Sequence, residues 1–144
     1  MAIGRRRGRI LAFQALYAWD IARVSAEELA QFSWMHSDEP ACTHDDLIFP
    51  RLLLLGTLEH LDTVDSTIIK HLTHWDFERI TKVDKAILRL STYSLLFQHD
   101  IAAKIVINEA VSIAHDYGTD DSFKFINAVL DSIKSEQLEY LHET

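Results

Sequence analysis

Two short stretches carry most of the chemistry this sequence offers. The first is GRRRGR at residues 4–9, where Arg5, Arg6, Arg7 and Arg9 crowd four guanidinium groups into six positions. Guanidinium forms planar, bidentate contacts with phosphate and also stacks on bases. The cluster runs directly into an apolar-periodic segment, so these charges are expected on a helix rather than on a loose tail. The second stretch is DDSFKFINAVLD at residues 120–131. There Ile126, Val129 and Leu130 recur at helical spacing and face a core. Phe123, Lys124, Phe125 and Asn127 crowd the start of the same helix and cannot all point inward. A partly exposed Phe beside a Lys at a helix N-terminus suits base stacking with help at the phosphate. The plainer alternative puts both phenylalanines in the core.

Other chemistries find less support. His71 and His74 can share a helix face, but zinc needs further ligands. The candidates His60, Cys42 and His44 show no compact ligand spacing, so surface histidines and no metal are expected. Four scattered glycines cannot form a phosphate-cradling loop, and no Ser or Cys nucleophile motif is present. Glu109 and Asp116, seven residues apart, read as a solvated helix face. No catalytic residue and no cofactor is expected; the chain does not read as an enzyme.

The elements that must position these groups read as helices throughout. The chain has 144 residues with only four Gly and two Pro, and 48% of it is hydrophobic, enough for a core. Ile10, Phe13, Leu16 and Tyr17, with Ala12, Ala15 and Trp19, make a first helix apolar over most of its circumference, hence expected to be central and buried. Ser25 with Glu28 forms a capping box for a helix over about 26–35. Residues 36–46 read as the main loop. A core helix follows over about 47–61, with Pro50 in its first turn, and then a shorter one reaching about Trp75. Thr81 caps the next, with Val83, Ile87, Leu90 and Ser94 on one stripe. A further helix runs from about Ala103 to Tyr117, closed by Gly118 as a C′ glycine, and a last one follows TDD. The expectation is an all-α protein of about seven helices in two small packed bundles, divided near residues 75–81.

Charge is uneven. Formal net charge is −8, and without the four N-terminal arginines the balance would be 10 basic against 22 acidic residues, a net of −12. An acidic surface attracts a basic protein and repels nucleic acid at long range. Cys42 stands alone, so no internal disulfide can form. Apolar runs fall short of the roughly 20 residues a membrane helix needs, and no secretory signal is expected. These features point to a cytoplasmic protein that leaves membranes alone.

Four blocks taken together resemble the NusB family of transcription antitermination factors. They are RRRGRILAFQALYAWDI, VDKAILRLSTYSLLF, KIVINEAVSIAHDYG and DDSFKFINAVLDSI, in that order within residues 5–133. The resemblance implies two small helical bundles, residues 1–76 and 77–144, in one compact unit. It implies binding of a short single-stranded RNA element, boxA, in ribosomal RNA operon leaders. The implied partner is NusE, a small-subunit ribosomal protein, within the RNA polymerase antitermination complex; monomer and homodimer both stay open for the free protein. Carried over residue by residue, the RNA surface would comprise Arg5, Arg6, Arg7, Arg9, Asp121, Ser122, Lys124, Phe125 and Asn127, with Gln14 and Tyr17 from the first-helix pattern. The partner-facing side would comprise Glu78, Asp84 and Arg89. The chain departs from the family pattern at Ala102, usually Pro, at Ser94, often Glu, and at Ala128, usually Gly.

Two other readings compete. One is a helical protein–protein interaction module without RNA binding. The other is the NusB-like domain found at the front of certain ribosomal RNA cytosine methyltransferases, for which a Gly-rich cofactor motif would be expected and is not seen. If the four arginines each neutralise one phosphate, log affinity should fall with log salt at a slope near −3, from about −0.7 per contact on single strands.

Overall fold

Helical periodicity becomes seven α-helices in the computed structural model, which describes residues 4–34 and 45–143, those after 139 as backbone only. They are α1 (Arg5–Ala22), α2 (Ala26–Leu29), α3 (Ile48–Glu59), α4 (Leu61–Lys70), α5 (Lys82–Phe97), α6 (Ala103–Tyr117) and α7 (Ser122–Glu143). Short 3₁₀ turns at Asp45–Leu47 and Phe77–Arg79 precede α3 and α5, and no strand occurs among the described residues. The all-α expectation holds. Most of the expected 36–46 loop lies outside the described residues, as do Cys42 and His44. No helix among the described residues is long and apolar enough to cross a membrane.

Local chemistry sets several boundaries. Ser25 Oγ accepts from the Glu28 N–H at 3.2 Å, and Thr81 Oγ1 accepts from the Asp84 N–H at 3.2 Å. Each satisfies one of the donors a helix start leaves free. Helix α2 is shorter than expected. The chain turns back after it, and Phe32 takes a left-handed φ of 55° with its ring 2% exposed. Burial of a large ring offsets the backbone strain that this conformation carries for a non-glycine residue.

Helix α4 also stops early, at Lys70 rather than near Trp75. His71 ends it and reaches across to α7, where Nδ1 meets Ser132 Oγ at 2.7 Å and Nε2 meets the Glu136 carboxylate. Gly118 closes α6, but in an extended conformation (φ −92°) rather than the left-handed one expected. Its role is spatial: a Cβ there would sit 2.6 Å from Ser122 Cβ and 2.8 Å from the Ala114 carbonyl oxygen.

The central helix is α5, not α1. Helices α1, α3, α4, α6 and α7 all pack on α5, whose residues 84–95 are buried without interruption. Small side chains at Ala86, Ser91, Thr92 and Ser94 let neighbours approach closely. Gly56 serves the same purpose from α3, since a Cβ there would lie 2.2 Å from the Tyr93 hydroxyl. Helix α1 instead buries one face, through Leu11, Ala12, Phe13, Ala15 and Leu16, and leaves Tyr17 and Ile21 exposed. One hydrophobic cluster joins residues from both halves of the chain, so α5 is the shared wall between them.

Candidate nucleic-acid interface

The four arginines separate into different environments. Arg5 and Arg6 are exposed, Arg7 is half-buried and Arg9 is buried. Arg5 and Arg9 both lie over the Phe49 ring, 4.5 and 5.4 Å from its centroid. Burial pulls the Arg9 guanidinium below its ordinary pKa, and Glu109 opposes that shift; an arginine remains charged all the same. Arg6 Nε sits 3.1 Å from Glu109 Oε2. Glu109, read from sequence as part of a solvated face, instead tethers Arg6.

A second contact ties α1 to α6. Phe13 packs against Tyr117 with ring centroids 5.1 Å apart. Both contacts advance in the same direction, from 6 to 13 on α1 and from 109 to 117 on α6, so the two helices run roughly parallel. Between them lies a hollow of about 250 Å³ lined by Phe13, Gln14, Tyr17, Val83 and Tyr117. Gln14 and Tyr17 therefore share one groove with a tyrosine that sequence reading placed only as a helix end. Along α1, Tyr17 lies about 16 Å beyond Arg6.

A second hollow is lined by residues close in sequence to those of the first. Val83 lines the first, and its neighbours Thr81 and Asp84 line the second; Tyr117 lines the first and Thr119 the second. The second hollow, about 220 Å³, is also bounded by Trp75, Arg79, Asp121, Ser122 and Phe125. Phe125 is half-buried and meets Trp75 edge-on at 5.6 Å. Phe123 is half-buried too, stacked on His115 at 4.3 Å, with Lys124 Nζ 5.8 Å from its centroid. Lys124, Asn127 and Asp121 are exposed. Ser122 is 2% exposed, and its Oγ accepts from the Thr119 N–H at 2.9 Å, so it shapes the turn into α7.

The partner-side residues do not form one patch. Glu78 is exposed on the 3₁₀ turn. Asp84 is 8% exposed, and burial raises its carboxyl above the ordinary aspartate value while hydrogen bonds from Ser122 and Thr81 oppose the rise. It thus joins the RNA-side residue Ser122 at the second hollow. Arg89 is 7% exposed and internally bound, with Nε and Nη2 each 2.9 Å from the Asp65 carboxylate and Nη1 3.4 Å from Asp20.

The sequence departures have mild settings. Ala102 keeps φ −59°, the value a proline would impose. Ser94 is buried and donates to Gln98 Oε1 at 2.6 Å. Ala128 is exposed. Sequence reading missed Trp75, Arg79 and Tyr117; an aromatic at a helix end, beside polar turn residues, was the trace they left. Among the described residues no group of three His, Cys, Asp or Glu side chains could hold a metal ion.

Fold and surface define a small all-α protein whose distinctive chemistry lies on a charged, aromatic surface. The model of the NusB family matches residues 6–135, and the chain belongs to that family. Transcription antitermination protein NusB of Treponema pallidum is 63% identical over 91% of this chain and 92% of its own length. The Bacillus subtilis protein of the same description is 39% identical over 92% and 95%. Among solved structures, NusB of T. maritima superposes with a TM-score of 0.83 at 34% identity, covering 94% of each chain. A structure of antitermination factors NusB and NusE in complex with dsRNA matches at 0.76 and 25%, covering 92% of this chain and 96% of that one.

Proposed function

We propose that this antitermination protein binds a short single-stranded RNA of the boxA type from ribosomal RNA operon leaders. It does so jointly with a NusE-type ribosomal protein, on elongating RNA polymerase in the cytoplasm. The observation that carries this reading is a series of three features, Arg6 beside Glu109, the Gln14–Tyr17–Tyr117 groove and the hollow at Phe125, across which a bound strand would follow one track. Cations attract phosphate without regard to sequence, whereas exposed aromatic faces take unstacked bases. The structural neighbour was solved with NusE and dsRNA, which supports RNA and a ribosomal-protein partner here. Aromatic rings along the track favour a single strand, because duplex bases are already stacked. The acidic remainder of the surface suits a basic partner.

The test is fluorescence anisotropy of a labelled boxA-like single strand over a salt series, with and without the NusE-type partner. Scrambled and duplex RNA serve as controls. Arg6 is held by Glu109, so the exposed cations counted are Arg5, Arg79 and Lys124, and the expected slope of log affinity against log salt is near −2, at about −0.7 per contact. Partner-enhanced, sequence-selective binding with that slope supports the reading. The exposed stripe of Ile48, Leu52 and Leu55 on α3 favours a second reading, protein binding without RNA. Complex formation with no RNA signal would select it.

A further inference from the structure

Trp75 is the most exposed of the large apolar side chains described, at 60%, although a ring of this size is ordinarily among the more buried. It belongs to the junction between α4 and α5, outside both stretches that carry the site. Tertiary packing nonetheless brings it edge-on to Phe125, at the far end of the track. Arg79 lies at the same hollow, and the carboxylates of Asp84 and Asp121 line it from the other elements. One carboxylate oxygen of Asp84 is buried without a hydrogen-bond partner, an arrangement that ordinarily costs stability.

We propose that Trp75 is a base-stacking, specificity-determining residue: the hollow beside it takes one nucleobase of the bound strand and favours a base with an exocyclic amino group. This rests on the RNA-binding reading above. The indole face supplies stacking area, and Arg79 supplies a cation for the adjoining phosphate. The carboxylates present acceptors to the base edge. Amino groups of cytosine, adenine or guanine donate to such acceptors, whereas the O4 carbonyl of uracil opposes them. A protein cation is the competing occupant, since aromatic rings and carboxylates also suit Lys or Arg. Arg79 at the hollow and Lys124 nearby on α7 weigh against a cation and for a nucleotide, which carries its own negative charge.

The experiment uses full-length protein whose only tryptophan is Trp75, made with Trp19→Phe and Trp34→Phe, titrated with the boxA-like single strand. Trp75 emission is expected to be quenched on RNA saturation. In a scan of single abasic substitutions, one position should remove the quenching and weaken binding by about 5- to 150-fold, the range of a lost base–aromatic stack. In the native background, Trp75→Ala should lose affinity over the same range and Trp75→Phe should keep most of it, with unchanged thermal unfolding because the side chain is exposed. At the responding position, amino-bearing bases should bind more tightly than uracil.

RNA binding with silent Trp75 emission and normal affinity in Trp75→Ala would overturn the stacking role alone. Equal affinity for uracil would overturn the amino-group preference. Emission that responds to the basic protein partner and not to RNA would assign the hollow to that partner and overturn the inference. Absence of any RNA binding, with or without partner, would overturn the inference and the RNA-binding reading together.

Discussion

Replacing Glu109 by Gln is expected to strengthen RNA binding, a gain of function from removing one charge. Arg6 is 64% exposed at its side chain and Glu109 19%, with Nε and Oε2 3.1 Å apart and Nη2 and Oε1 3.5 Å apart. A phosphate that recruits Arg6 must displace this carboxylate or share the guanidinium with it. An exposed pair of this kind contributes about 0.2–1 kcal/mol. The carboxylate also repels a phosphate at about 7 Å by roughly 0.6 kcal/mol in water before screening. Together these terms predict about 0.5–1.5 kcal/mol, or roughly 2- to 10-fold tighter binding. The salt slope should steepen by about 0.7, because Arg6 would join the phosphate contacts in full. The assay is the anisotropy titration at several salt concentrations, with a denaturant melt to confirm that the exposed pair costs the fold under about 1 kcal/mol. A double-mutant cycle with Arg6→Ala isolates the coupling. Unchanged or weaker binding with an unchanged slope would refute the reasoning and mean that Glu109 orients Arg6 rather than competing for it.

Arg89→Ala should destabilise the fold by about 3–5 kcal/mol, because it strands the Asp65 carboxylate and leaves Asp20 with Lys82 alone. A denaturant midpoint shift reads this, and RNA affinity per folded molecule should stay unchanged. Asp84→Asn should alter the pH dependence of stability. Burial raises the Asp84 carboxyl above 3.8, so its contribution is fully present below that value and is lost as pH rises through the folded value. The melting temperature of the Asn variant relative to the native protein should therefore climb across this window and level off above it. A flat difference from acid to neutral pH would count against a desolvated Asp84.

Features fixed by neighbours in sequence were legible in it. The caps at Ser25 and Thr81 depend on side chains within three residues, and both form. The end of α4 was not legible, because His71 stops it by reaching Ser132 and Glu136 on α7. The central helix was misplaced for a related reason. Helix α5 carries Asp84, Lys85, Arg89 and several hydroxyls and reads as amphipathic. It is buried because Asp65 and Asp20 neutralise Arg89, and the Phe77 ring covers Lys85 with Nζ 4.4 Å from its centroid. Helix α1 looks more apolar than its setting because Tyr17 and Ile21 face outward. At the site, the arginines and the Phe125 block announce themselves by composition. Trp75 and Arg79 do not, since only the packing of α7 against the α4–α5 junction brings them to Phe125.

The same packing explains how an acidic chain can hold a polyanion. Four adjacent arginines do not act as one basic patch: Arg9 is buried against Phe49, and Arg6 is held by Glu109. What is exposed at that end is Arg5, above the Phe49 ring, and a tethered Arg6, with Arg7 half-buried. At the opposite end stand Arg79 and Lys124, both exposed. Between the two ends lie Phe13, Gln14, Tyr17 and Tyr117, whose groove has no charged residue in its lining. Screening confines each exposed charge to about 8 Å at physiological salt, so acidic side chains elsewhere on the molecule barely weaken the attraction at either end. Net charge therefore says little about affinity here. Charge at the two ends holds the backbone, and the aromatic rings between and beside those charges are the place for sequence to be read.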